Sequence, residues 1–142
     1  MTMMKYTTRE DKVREFHKAF GLAIGVEGAH HNLTMRDRLI GEEAEEVADA
    51  IRDIQIDLVY GKPAKPEAWA HLLKELADLQ YVISGTLVAI KELAKVDFDV
   101  VFNRVHDSNM SKLDNNGMPI YNERGKVMKG PNYKEPDLSD LV

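Results

Sequence analysis

The chain contains no cysteine, which excludes disulfides and thiolate metal sites. It has no basic excess either, since 19 Lys and Arg stand against 24 Asp and Glu for a formal charge of −5. A general nucleic-acid binder carries a basic footprint, so no polynucleotide partner is expected. No apolar run approaches the roughly 20 residues that a bilayer span requires. Residues 1–12, MTMMKYTTREDK, hold no apolar signal segment. These absences lead to the expectation of a cytoplasmic protein with no membrane partner. There is no solenoid repeat and no low-complexity tract. With 142 residues, 44% of them apolar, the chain is long enough for one domain with a real core.

What is present is helical periodicity. Thr7 or Thr8, with Glu10 or Asp11 three residues on, can cap a first helix whose stripe is Val13, Phe16, His17 and Phe20. Residues 21–32 carry three glycines and no clear period, which predicts a loop. Thr34-x-x-Asp37 resembles a cap, and Ile40, Ala44, Val47, Ile51, Ile54 and Leu58 give a helical period from Met35 to Val59. Gly61 and Pro63 stop it, and Pro66 starts a third helix. Trp69, Leu72, Leu76, Leu79, Ile83 and Ile90 line the expected buried face of that helix. Leu73, Val82 and Val88 make it apolar on other sides too, which predicts a central position and burial against a second subunit. Asp97 can cap a fourth helix with Phe98, Val101 and Val105. Beyond Ser111 the character changes. Asp114-Asn115-Asn116-Gly117 and Asn122-Glu123-Arg124-Gly125 are turn signals, and residues 118–121 and 126–128 read as two short strands. The expectation is therefore an all-α, four-helix bundle-like domain over residues 1–113. An irregular tail, residues 114–142, would pack over the active site or a neighbouring subunit.

The second helix carries Glu42, Glu43, Glu45 and Glu46, and the third carries Glu75 and Asp78. At about 100° per residue, Glu43 and Glu46 lie at roughly −60° and −120° from Ile40, and Glu75 and Asp78 at the same rough angles from Leu72. A short connection favours antiparallel neighbours. The two-fold relation between facing antiparallel helices keeps same-handed flanks on one side, so the four carboxylates should converge. Clustered carboxylates repel unless a cation sits among them, and an all-oxygen set suits Mg²⁺ or Mn²⁺ rather than zinc. A di-iron bundle would use Glu-x-x-His pairs. Glu27 to His30, in the glycine-rich loop, is the single such spacing. An acidic helix face is most often merely solvated, and it is the matched second pair beside an apolar stripe that favours a site. Glu45 and Asp49 point further from the stripe and are read as solvent-facing.

Glu42-Glu43-x-x-Glu46 followed by Glu75-x-x-Asp78 resembles the signature of the MazG-like and phosphoribosyl-ATP pyrophosphohydrolase-like all-α enzymes. Residues 13–21 (VREFHKAFG), 106–113 (HDSNMSKL) and 125–133 (GKVMKGPNY) are similar to motifs of a compact dimeric subgroup from bacteria and phages. The resemblance covers nearly the whole chain. It implies cleavage of a nucleoside triphosphate between the α- and β-phosphates, with Glu43, Glu46, Glu75 and Asp78 holding Mg²⁺ and Glu42 orienting or deprotonating water. It implies a dNTP such as dGTP or dUTP as substrate, a homodimer or dimer of dimers, and a host-cytoplasm location if the chain is of phage origin. Asn109, Lys112, Lys126, Lys129 and Tyr133 are the candidates for phosphate binding. Phe16, Phe20 and Trp69 are candidates for stacking on a base, although aromatics at helical spacing are more often core. His31 and Asn32 are further candidates for reading base edges, and His17 reads as a packed histidine. Two alternatives stand beside this: a phosphoribosyl-ATP pyrophosphohydrolase, and a non-enzymatic helical oligomerisation module.

Overall fold

A computed structural model describes residues 7–142. The part of the signal-segment reading that falls on residues 1–6 lies outside that span. The chain divides into two compact units, Met1–Lys95 and Val96–Val142.

The first unit is built from α1 (Arg9–Ala19), α2 (His30–Val59) and α3 (Pro66–Ala89). The side chain of Thr8 accepts from the Asp11 backbone N–H, and the Asp11 carboxylate accepts from the Thr8 N–H, which closes a capping box on α1. Pro66 opens α3, where its missing N–H leaves no helical bond unmade. Both α1 and α2 pack on α3, so α3 holds the central position within this unit. Val13, Val47, Ala50, Ile54, Val88, Ala89 and Ile90 form the buried apolar core.

Two expectations need correction here. Helix α2 begins at His30 rather than Met35, and Thr34 is not its cap. The Thr34 hydroxyl donates to the His30 carbonyl one turn back, within the helix. The start is set instead by backbone. Asn32 and Leu33 N–H donate to the Ala29 carbonyl, and the Asn32 side-chain amide donates to the Glu27 carbonyl. The preceding loop is pinned by a parallel bridge between Val26 and Ile90. The expected stripe of α3 is also only partly buried. Trp69 and Leu76 are exposed, whereas Glu75, Ser84, Gly85, Val88 and Ala89 are buried. The α3 seam is chosen by small and polar residues that let α1 and α2 approach closely.

In the second unit, Asp97 caps α4 (Phe98–Met110) by accepting from the Asp99 N–H. Both predicted turns form in the same way. The carboxamide or carboxylate oxygen of the first residue accepts two backbone N–H groups, and Gly117 and Gly125 take positive φ. The two predicted strands reduce to a single antiparallel bridge between Tyr121 and Val127. Among the described residues no longer ladder exists, so the chain is all-α with four α-helices. The tail is tied to α4. Ser108 Oγ donates to the Lys134 carbonyl at 2.7 Å, and Arg104 donates to the two carboxylate oxygens of Asp140 from Nη1 and Nη2.

Candidate metal centre

Within the first unit, Glu43 of α2 and Glu75 and Asp78 of α3 each present a carboxylate oxygen, and these oxygens lie within 4.8 Å of one another. Glu43 stands on the α2 face that continues through Val47, Ala50 and Ile54, and that face packs against α3. Glu75 and Asp78 are one helical turn apart on α3 and share a face. Glu46 lies outside that three-residue set and is felt by it through hydrogen bonding to Glu75. That bond, then the charge of Glu43, raises the Glu46 carboxyl above its ordinary 4.5.

Burial makes the cluster costly. Glu75 is only 3% exposed. Its Oε2, and Oε2 of Glu43, are buried oxygens with no hydrogen-bond partner. Buried polar atoms are nearly always satisfied, and an ionised carboxylate in that position is costly unless paired or bound to a metal. Two orphaned oxygens on facing helices, with a third carboxylate alongside, therefore fit a divalent cation with oxygen ligands. Two further oxygens of the cluster, one each from Asp78 and Glu75, are engaged by a side chain of the same helix. Lys74 Nζ lies 2.9 Å from Asp78 Oδ2 and 3.2 Å from Glu75 Oε1. His71 Nδ1 stands 3.6 Å from the same Glu75 oxygen. Hydrogen bonding to Asp78, then to Glu75, pushes the Lys74 ammonium pKa further up. Sequence reasoning does not single out Lys74, although a signal for it exists. An i, i+4 Lys–Asp pair with Lys first places the ammonium over the next turn.

The remaining candidates fall elsewhere. Glu42 is exposed, with Oε1 3.9 Å from Arg38 Nε. Trp69 precedes Glu75 by six residues, about 9 Å along the axis and on a different face of α3. Phe16 packs its ring against Phe20 at 4.5 Å and edge-on to Tyr81 at 5.5 Å. His17 is buried, with Nδ1 2.7 Å from the Ala23 carbonyl. Asn32 is engaged with Glu27, and His31 is exposed in the first turn of α2. A concavity of about 410 Å³ between α1 and α3, lined by Val13, Leu76, Gln80, Tyr81 and Ser84 among others, contains none of the four carboxylates. Asn109, Lys112, Lys126, Lys129 and Tyr133 belong to the second unit. There Lys129 Nζ sits 4.6 Å from the centre of the Tyr133 ring. Tyr133 also lines an open depression of about 560 Å³ with Ser111, Pro131, Asn132 and Lys134.

Residues 13–109 match the family model described as phosphoribosyl-ATP pyrophosphohydrolase, a span that includes Glu43, Glu46, Glu75 and Asp78. An uncharacterized protein of Acanthamoeba polyphaga mimivirus is 32% identical, over 49% of this chain and 41% of that relative. The chain thus matches less than half of that relative's length.

Proposed function

Because the chain belongs to the phosphoribosyl-ATP pyrophosphohydrolase family, we propose that it hydrolyses a nucleoside triphosphate to the monophosphate and pyrophosphate with Mg²⁺, and that the substrate is a deoxynucleoside triphosphate such as dGTP or dUTP. The observation that carries this reading is the pair of buried, partnerless oxygens of Glu43 and Glu75, with Asp78 close by. Such a set has an evident use only when it holds a cation.

Glu43, Glu46, Glu75 and Asp78 are the residues that would hold the metal, with Mn²⁺ as a chemically similar substitute. When bound, the ion supplies charge neutralisation for the triphosphate and lowers the pKa of the attacking water. The protein's own groups do the rest. Glu43 and Glu75 are held on packed helices, so their oxygens are preorganised and need little rearrangement. Glu42, beside Glu43 but solvent-exposed, is the group assigned to orient the water and take its proton. Attack at the α-phosphorus breaks the bond to the bridging oxygen, which leaves with pyrophosphate. Asn109, Lys112, Lys126, Lys129 and Tyr133 are assigned to the phosphate oxygens, with lysine acting as a point charge. Phe16 and Trp69 remain the candidates for the base. A homodimer or dimer of dimers is the assembly proposed.

One alternative has a specific observation behind it. The matched family is described by its phosphoribosyl-ATP activity, so that compound is the second candidate substrate. The test is a panel of dNTPs, NTPs and phosphoribosyl-ATP, each incubated with Mg²⁺ and assayed for pyrophosphate. Release from one or more dNTPs in preference to phosphoribosyl-ATP is expected. Release from phosphoribosyl-ATP alone would transfer the assignment to the alternative. No release from any compound would leave a helical oligomerisation module.

A further inference from the structure

We propose that Lys74 is a built-in counter-cation of the carboxylate cluster, which binds Glu75 and Asp78 while no divalent ion is bound and must be displaced for the ion to enter. The inference rests on the reading of the cluster as a metal site and adds a residue to it.

The ammonium lies 2.9 Å from Asp78 Oδ2 and 3.2 Å from Glu75 Oε1. These two carboxylates, with Glu43, form the set whose oxygens converge within 4.8 Å. A divalent ion of the Mg²⁺ type bonds carboxylate oxygens at about 2.0–2.1 Å. An ammonium at hydrogen-bond distance from the same carboxylates then competes for their lone pairs and is repelled by the ion. The two cations are alternatives. Nothing in the packing holds Lys74 in place, because its side chain is 64% exposed and its flexible four-carbon stem can swing clear. The arrangement also explains how three acidic side chains, one of them almost fully buried, coexist on facing helices. The lysine offsets part of the repulsion at Glu75 and Asp78, yet it leaves Oε2 of Glu43 and Oε2 of Glu75 without a partner. Lys74 is thus an incomplete substitute that a divalent ion outcompetes. It acts as a positioning residue that keeps the Glu75 and Asp78 carboxylates together before the ion arrives.

The test needs no substrate. Mn²⁺ is titrated into the full-length protein and followed by the loss of the free-ion electron paramagnetic resonance signal. Wild type, Lys74→Met and Lys74→Arg are compared. Removing a competing cation whose own head is exposed, although one of its partners, Glu75, is nearly buried, should tighten Mn²⁺ binding by about three- to tenfold in Lys74→Met. Lys74→Arg, which keeps the charge, should stay close to wild type. Without metal, Lys74→Met should melt at a lower temperature than wild type, and Mn²⁺ should raise its melting temperature by more. Lys74→Gln provides a polar neutral control should the methionine variant fold poorly. Unchanged or weaker Mn²⁺ binding in both neutral variants, with binding intact in wild type, would overturn the displacement proposal alone. Absence of Mn²⁺ binding in every protein, wild type included, would instead overturn the metal-site reading beneath it.

Discussion

Replacing Glu46 by Gln or Asp78 by Asn removes a negative charge and a cation ligand while keeping the side chain's size. Neither residue belongs to the apolar core, so the fold should persist. Even partners that merely support metal ligands contribute about 10- to 100-fold, so direct loss of a ligand should lower kcat/KM by at least about a hundredfold. Near-normal turnover in either variant would count against the assignment. The cluster also predicts a pH signature. The Glu46 carboxyl is raised above its ordinary 4.5, so the folded chain holds that proton to higher pH than the unfolded chain does. Its favourable contribution is complete below the ordinary value and is lost as pH rises through the raised one. A divalent cation removes that penalty. The gain in melting temperature on adding Mg²⁺ should therefore be small at and below the ordinary carboxyl value of 4.5 and grow as pH rises through the raised one. Asp137 and Asp140, both lowered by hydrogen bonds in the second unit, act in the opposite sense. They contribute equally with and without Mg²⁺, so the difference between paired melts isolates the cluster. A metal-induced gain that is constant across this range would contradict the coupling.

At the scale of the helices, Gly85 is where α1 and α2 meet α3. A Cβ there would come within 3.0 Å of Arg36 Nη2 and 3.3 Å of His17 Nε2. Both side chains are buried. The guanidinium of Arg36 is fixed by donation from Nε to Thr86 Oγ1, and burial lowers its pKa. Gly85→Ala should therefore destabilise the protein by about 1–3 kcal/mol, the usual result of overpacking, as read by chemical denaturation. A neutral or stabilising result would mean that the seam relaxes easily. The same scale shows what local sequence discloses. Thr8, Pro66 and Asp97 announce their helices because each carries its capping chemistry in its own side chain or ring. The start of α2 is not legible, because Ala29 caps through backbone alone and its loop is fixed by pairing with Ile90, more than sixty residues on. The acidic pairs are legible, since helical period determines which residues share a face. Lys74 escapes notice because its i, i+4 spacing to Asp78 is common on solvated helix turns and gains meaning only when its other partner, Glu75, is seen to be nearly buried.

At the scale of the whole molecule, the first unit leaves Phe20, Val59, Tyr60, Trp69 and Leu73 exposed. Scattered apolar residues are ordinary on a surface, but this many large ones on or capping three helices accord with the proposed self-association. Light scattering should give the mass of a dimer or of a dimer of dimers, and a monomer at all concentrations would refute the assembly. Truncation after Leu113 removes Lys126, Lys129 and Tyr133. If these bind phosphate, KM for the triphosphate should rise about tenfold for each charge-assisted hydrogen bond removed, with the helices of the first unit intact by circular dichroism. An unchanged KM would remove the tail from substrate binding. Among the described residues no helix is long and apolar enough to cross a membrane.

Helical class, most helix starts, the two tail turns and the i, i+3 spacing of the acids are properties of short stretches of chain. Period and capping act over four or five residues, so residue order alone determined them. Burial is different, because it depends on neighbours brought from far along the chain. Only the tertiary structure decided that Glu75 is nearly enclosed and that the Glu43 and Glu75 Oε2 atoms have no partner. It also decided that Lys74 faces the carboxylates and that Trp69 and Leu76 face outward rather than into the core.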